Sequence, residues 1–144
     1  RFTLYGKCNE SENQRPQLAG ISFIKIKGDI VIRHFRIALP KEGTVYYSDK
    51  EDDLSQIAFK GKEVENIKIY SSSLPIIHPD GSLTQNFGPY SIISSRNNFI
   101  IRDEETNSSL FTSFKTYNGI CTLILRPPFT PLIGIALAVA ILTS

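Results

Sequence analysis

Between residues 18 and 125 the chain breaks into seven or eight short apolar segments, each closed by a cluster of Gly, Pro, Asn or Ser. That spacing suits strands and leaves little room for helices, because strands run to about 3–10 residues and Gly and Pro punctuate them. Ile21 and Phe23, followed by Ile24 and Ile26 alternating with Lys25 and Lys27, predict a strand whose phase slips once, as at a bulge. Gly28-Asp29 supplies a two-residue turn with Gly first, and residues 30–39 read as the return strand of a hairpin. Pro40-Lys41-Glu42-Gly43 turns the chain into a short strand at 44–47. Further strands are predicted at 64–70, 91–94, 98–102, 110–117 and 120–125, with Pro79-Asp80-Gly81 and Phe87-Gly88-Pro89 as turns. The expectation is an all-β fold, an antiparallel Greek-key β-barrel or sandwich.

One short helix interrupts the pattern. Ser48-Asp49-Lys50-Glu51 has capping-box form, Leu54, Ile57 and Ala58 keep helical spacing, and Lys60-Gly61 suits a helix end. Composition agrees with the strand reading: the chain holds twenty Ile and no Met or Trp, and β-branched side chains favour the pleated surface. Residues 1–17 read as a polar lead-in, 18–126 as the β-barrel domain and 127–144 as a linker and apolar tail.

That tail runs apolar without interruption from Leu132 to Leu142 after the Arg126-Pro127-Pro128 linker. It falls short of the roughly 20 residues that cross a bilayer, and matches the hydrophobic tail of about 10–20 residues in a lipid-anchor signal. A GPI-type anchor signal or a truncated transmembrane helix is expected, with a buried C-terminal helix as the competing reading. Asn9-Glu10-Ser11 and Asn107-Ser108-Ser109 have the form of glycosylation sequons, which makes Asn9 and Asn107 candidate acceptors. Cys8 and Cys121 would suit one disulfide tying the N-terminus to a late strand, worth about 4–5 kcal/mol on loop-closure entropy; two free thiols are the alternative.

Charge narrows the partners. Sixteen Lys and Arg against fourteen Asp and Glu leave +2, too near neutral for the basic stripe of a nucleic-acid binder or the acidic excess of a disordered tail. Histidine limits the chemistry, since only His34 and His78 are present and any site needing three imidazoles is excluded by counting. Both are weak metal candidates: His34 alternates with Arg36 opposite Phe35, Ile37 and Leu39, and His78 precedes a turn. The acidic run 49–53 lacks the alternating oxygen ligands and central Gly of a calcium loop. No Gly-x-Ser-x-Gly elbow and no Gly-rich phosphate loop occurs.

Three stretches nevertheless carry a family likeness. Ala19-Gly20-Ile21-Ser22-Phe23, the run from Ser91 through Arg96 to Glu104, and Gly119-Ile120-Cys121-Thr122-Leu123-Ile124 together resemble the copper/zinc superoxide dismutases in order and spacing over residues 18–126. The resemblance implies an eight-stranded Greek-key barrel and carries no catalytic residue across. That family binds copper through four histidines and zinc through histidines and an aspartate. Here the strand position of one copper histidine is Arg102, the region of the His-x-His pair falls at 44–49 without a histidine, and the guiding arginine falls at Asn118. Cys121 matches one half of the family's disulfide, with Cys8 as the partner left to it.

The expected function is therefore that of a non-catalytic, superoxide dismutase-like extracellular domain, membrane-attached through its tail, with a structural or recognition role toward a protein at the cell surface. No cofactor is expected. Tyr46, Tyr47, Phe87 and Tyr90 are the interaction candidates, chosen because Tyr and Phe are common at interfaces; the competing reading packs them at the barrel ends. Two alternatives stand beside this, a copper-binding enzyme with an unusual site at His34 and His78, and an immunoglobulin-like adhesion ectodomain.

Overall fold

A computed structural model describes residues 1–8, 14–26, 32–47, 52–62, 64–117 and 119–144. The chain forms β1 (Phe2–Tyr5), β2 (Gln17–Ile26), β3 (Ile32–Pro40), α1 (Leu54–Lys60), β4 (Ile67–Ser72), β5 (Ile76–Ile77), β6 (Leu83–Thr84), β7 (Phe99–Arg102), β8 (Ser109–Lys115), β9 (Cys121–Leu125) and α2 (Pro131–Leu142). Seven strands make one curled antiparallel sheet in the order β1-β2-β3-β4-β7-β8-β9, and β5 pairs with β6 in a separate hairpin.

The antiparallel β-rich fold expected from the sequence is present, with different closure and connectivity. The sheet is a half-barrel whose order follows the chain, an up-and-down meander set around the β5–β6 excursion. The Greek-key crossover is not seen among the described strands, and the seven strands lie in one sheet and not in two facing sheets. A second helix, α2, accompanies the expected α1 and lies against β1 and β2 at one edge and β9 at the other. It fills the gap that β1–β9 pairing would close in a complete barrel.

Alternation decides which side chains face α2. Ile21 and Phe23 on β2 sit opposite Ile37 and Phe35 on β3, and Ile101 on β7 opposite Phe111 on β8. These side chains form the inner core with Leu39, Tyr70, Phe99, Phe129, Leu137 and Ile141. Aromatic contacts run through it: Phe35 to Phe99 and Phe99 to Phe111, each at 5.0 Å between ring centroids, then Phe111 to Phe129 at 5.5 Å. Edge-on and tilted rings at such separations add modestly to the burial energy. The β2–β3 register is continuous from Gly20↔Ala38 to Ile26↔Ile32, so the phase slip in the sequence is no bulge. Ile24 and Ile26 are simply half-buried on the outer face.

On that outer face α1 covers β2 and β3 through Leu54, Ile57 and Ala58, packed on Ala38 and Ile67. Asp53 is the N-cap, its carboxylate accepting from Gln56 N at 2.7 Å, and Gly61 closes the helix at φ 65 with its N–H on Ile57 O. The capping-box segment 48–51 and the Gly28-Asp29 turn lie outside the described residues. The polar lead-in contains β1, which joins the sheet through Phe2↔Ile21 to Tyr5↔Gln17. The apolar tail is α2, with Leu137, Ala138, Ala140 and Ile141 buried in the inner core. No helix among the described residues is long and apolar enough to cross a membrane.

The Cys8–Cys121 bond expected from the sequence is absent. Cys8 follows β1 at one edge of the sheet and Cys121 opens β9 at the other, with α2 between the edges. A disulfide needs Cα atoms within about 7 Å, and this sheet order does not bring them together.

Candidate functional site

The sheet splays where β4 leaves β3. The β3–β4 ladder ends at Arg36↔Ser71, and β4 meets β7 through only Ser71↔Arg102 and Ser72↔Ile101. Continuing the register would set Phe35 against Ser72, and there a side chain replaces the backbone: Phe35 N donates to Ser72 Oγ at 3.1 Å. His34 Nδ1 lies 2.9 Å from the same hydroxyl. Ser73 N then turns to Ile100 O at 2.7 Å, committing the chain to β7. The start of β3 thus borders open space where a ladder would have continued.

That space is a groove of about 570 Å³. Arg33, Ser72 and Phe99 lie at the sheet, Gln85 and Phe87 come from the segment after β6, and Arg96 stands on the loop before β7. The loop is held in place: Asn98 N donates to Ser95 O at 3.1 Å, closing a turn around Arg96, while Asn98 Nδ2 donates to Ile93 O and its Oδ1 accepts from Lys115 N, both at 2.8 Å. Gln85 Nε2 donates to Ser73 O at 3.2 Å and joins the β6 side to the β4 end. The walls are therefore built by hydrogen bonds within the fold.

Arg33 links the groove to the inner core. Its Nη2 donates to Ile141 O and Ser144 Oγ at the C-terminal end of α2, where a cation complements the helix dipole. Its guanidinium lies 5.2 Å from the Phe23 ring centroid. Burial first, and then the Arg96 charge, lower the Arg33 pKa, and both side chains line the groove.

The residues singled out from sequence do not form one site. His34 sits on β3 with Ser72; burial first, then Arg36, lower its pKa against the opposing hydrogen bond from Ser72. His78 lies on the β5–β6 hairpin, its Nε2 2.8 Å from Thr84 Oγ1. No group of three or more His, Cys, Asp or Glu side chains among the described residues is arranged to hold a metal. Arg102 donates to Asn107 O at 3.1 Å. Tyr46 packs beside α1, its hydroxyl donating to Asp52 O at 2.6 Å, and Tyr47 is half-buried next to it. Phe87 and Tyr90 pack around Phe114 on the outer face, Tyr90 stacked on it at 4.8 Å. Among these aromatics only Phe87 reaches the groove. Asn107 is exposed at φ 54, and Asn9 lies outside the described residues.

Sequence reasoning missed Arg33 and Arg96. Arg33 lay within the expected 30–39 strand without being singled out, and Arg96 entered only as part of a family likeness. No family model matches the chain, and no curated protein matches it.

Proposed function

We propose that the chain is a non-catalytic recognition domain whose ligand lies in the groove between β3 and β7. The observation that carries this is the departure of β4 from β3 at Ser72, which opens a concavity with both polar and aromatic walls. Its volume falls within the roughly 300–1,000 Å³ of small-molecule sites.

The pairing of Ser72 with His34 supports binding over nucleophilic catalysis. A base must take the serine proton and become imidazolium, and here desolvation and Arg36 both work against that charge. The Ser72 oxygen is also occupied in holding Phe35 N. The likeness to the dismutases supports a β-rich domain, and Arg102 in place of a copper histidine supports recognition over dismutation. The exposed Asn107 supports passage through a secretory route.

The test is a saccharide and peptide array probed with the full chain and with Ser94→Trp, which fills the groove from an exposed position. Array signals lost in Ser94→Trp at unchanged thermal stability, with the bound probe recovered chemically intact, are expected. Equal binding by the variant, a blank array, or conversion of the probe would each overturn the reading.

A second reading, contact with a lipid surface, draws on the outer side of α2, where Leu132, Ile135 and Val139 are more than half exposed. Flotation with phosphatidylcholine vesicles that survives in Val139→Asn would remove it.

A further inference from the structure

We infer that the groove takes an acidic saccharide, with a sulfate or carboxylate group seated between Arg33 and Arg96. This rests on the groove being the binding site.

The ion pairs among the described residues are Lys60–Asp52 and Lys68–Asp103, and neither groove arginine takes part in one. Arg96 makes no hydrogen bond to any described residue, although its turn is pinned at Ser95, Asn98 and Lys115. Lys25 sits directly across from Arg33 in the β2–β3 register, a like-charge pair that opposes strand pairing. Arg33 and Arg96 thus line one groove, Lys25 lies across from Arg33, and no ion pair among the described residues offsets them. An oxyanion there would relieve their repulsion, and a guanidinium presents a planar fork of donors that matches sulfate or carboxylate geometry.

Arg33 has donors to spare. Its contacts to α2 use Nη2, and a guanidinium carries five N–H groups in all. The remaining lining selects the rest of the ligand. The hydroxyls of Ser73 and Ser94 have no hydrogen-bond partner among the described residues, and each can both donate and accept. Sugar hydroxyls need that two-way capacity. Phe87 offers a ring to the apolar face of a pyranose.

The experiment measures binding of a heparin tetrasaccharide, a hyaluronan tetrasaccharide, maltotetraose and hexaglutamate to the full chain by calorimetry at two salt concentrations. Arg96→Gln is the main variant, because Arg96 is exposed and its side chain makes no hydrogen bond or ion pair among the described residues. Arg96→Lys separates the forked geometry from the charge. Binding of either acidic saccharide, weakened by salt and reduced roughly tenfold or more by Arg96→Gln, is expected. The heparin and hyaluronan arms identify sulfate or carboxylate as the group bound.

Maltotetraose binding that Arg96→Gln leaves unchanged and Ser94→Trp abolishes would overturn the acidic-ligand inference while the groove stands. Hexaglutamate binding alone would replace the saccharide with an acidic peptide. Acidic-saccharide binding indifferent to both substitutions would overturn the groove as well.

Discussion

The side-chain oxygen of Gln17 accepts a hydrogen bond from Leu54 N at 2.7 Å. Gln17 is buried at the start of β2, and Leu54 is the first residue of α1, whose leading N–H groups have no partner inside the helix. One amide thus satisfies a helix donor from a neighbouring strand, while Asp53 satisfies another through Gln56 N. Gln17→Leu should cost about 1–3 kcal/mol, because it strands a buried N–H. Asp53→Ala should cost about 1 kcal/mol. Urea unfolding of both variants checks the order, and equal costs would show that Leu54 N finds another partner.

Two glycines sit at close approaches and should respond differently to Ala. A Cβ on Gly20 would overlap the Leu54–Ser55 backbone, which cannot move without lifting α1 from the sheet. On Gly134 it would meet the Leu125 side-chain tip, which can rotate away, and Ala favours a helix interior by about 1 kcal/mol. Gly20→Ala should therefore destabilise by about 1–3 kcal/mol and Gly134→Ala by much less. Thermal unfolding of the pair measures the difference, and a larger loss at Gly134 would contradict the assignment.

These contacts show which parts of the fold the sequence displays. Alternation marks β2 and β3, and Gly61 with its positive φ marks the end of α1. β1 escapes notice because four residues in a polar setting join the sheet through backbone bonds that leave no periodic trace. α2 is apolar on every face, so its sequence has no phase to separate an anchor from a helix packed on a core. The groove is hidden for another reason. Arg33 and Arg96 are far apart in the chain and line one groove where β4 departs at Ser72, a local substitution of hydroxyl for carbonyl that hydropathy does not report.

Phe111 should be the costliest single truncation. It is fully buried, with ring centroids 5.0 Å from Phe99 and 5.5 Å from Phe129, and joins the sheet to the segment that leads into α2. Phe111→Ala should cost about 3–5 kcal/mol. Phe59, about half exposed with the Arg1 guanidinium 4.2 Å from its ring centroid, should lose less than about 1 kcal/mol on the same change. Denaturant midpoints of the two variants report the contrast, and comparable losses would place the inner core elsewhere.

His34 should set the stability of the fold just below neutral pH. Burial and the Arg36 charge hold its pKa below the usual 6.5, so the unfolded chain takes up the proton more readily than the folded one. Stability contributed by the neutral imidazole is complete above 6.5 and falls as pH drops through that value, continuing until the folded form also protonates. Asp80 and Asp103 act in a separate, more acidic window. The Ser82 hydroxyl and N–H hold Asp80 below 3.8, and the Thr106 and Glu105 N–H groups do the same for Asp103, so their contribution is lost as pH falls through those lowered values. His34→Gln leaves a neutral amide able to bond Ser72 and removes the first window alone. Chemical denaturation between pH 7.5 and pH 5 should show wild type losing stability and His34→Gln holding level over the same range, and parallel slopes would assign the dependence to another group.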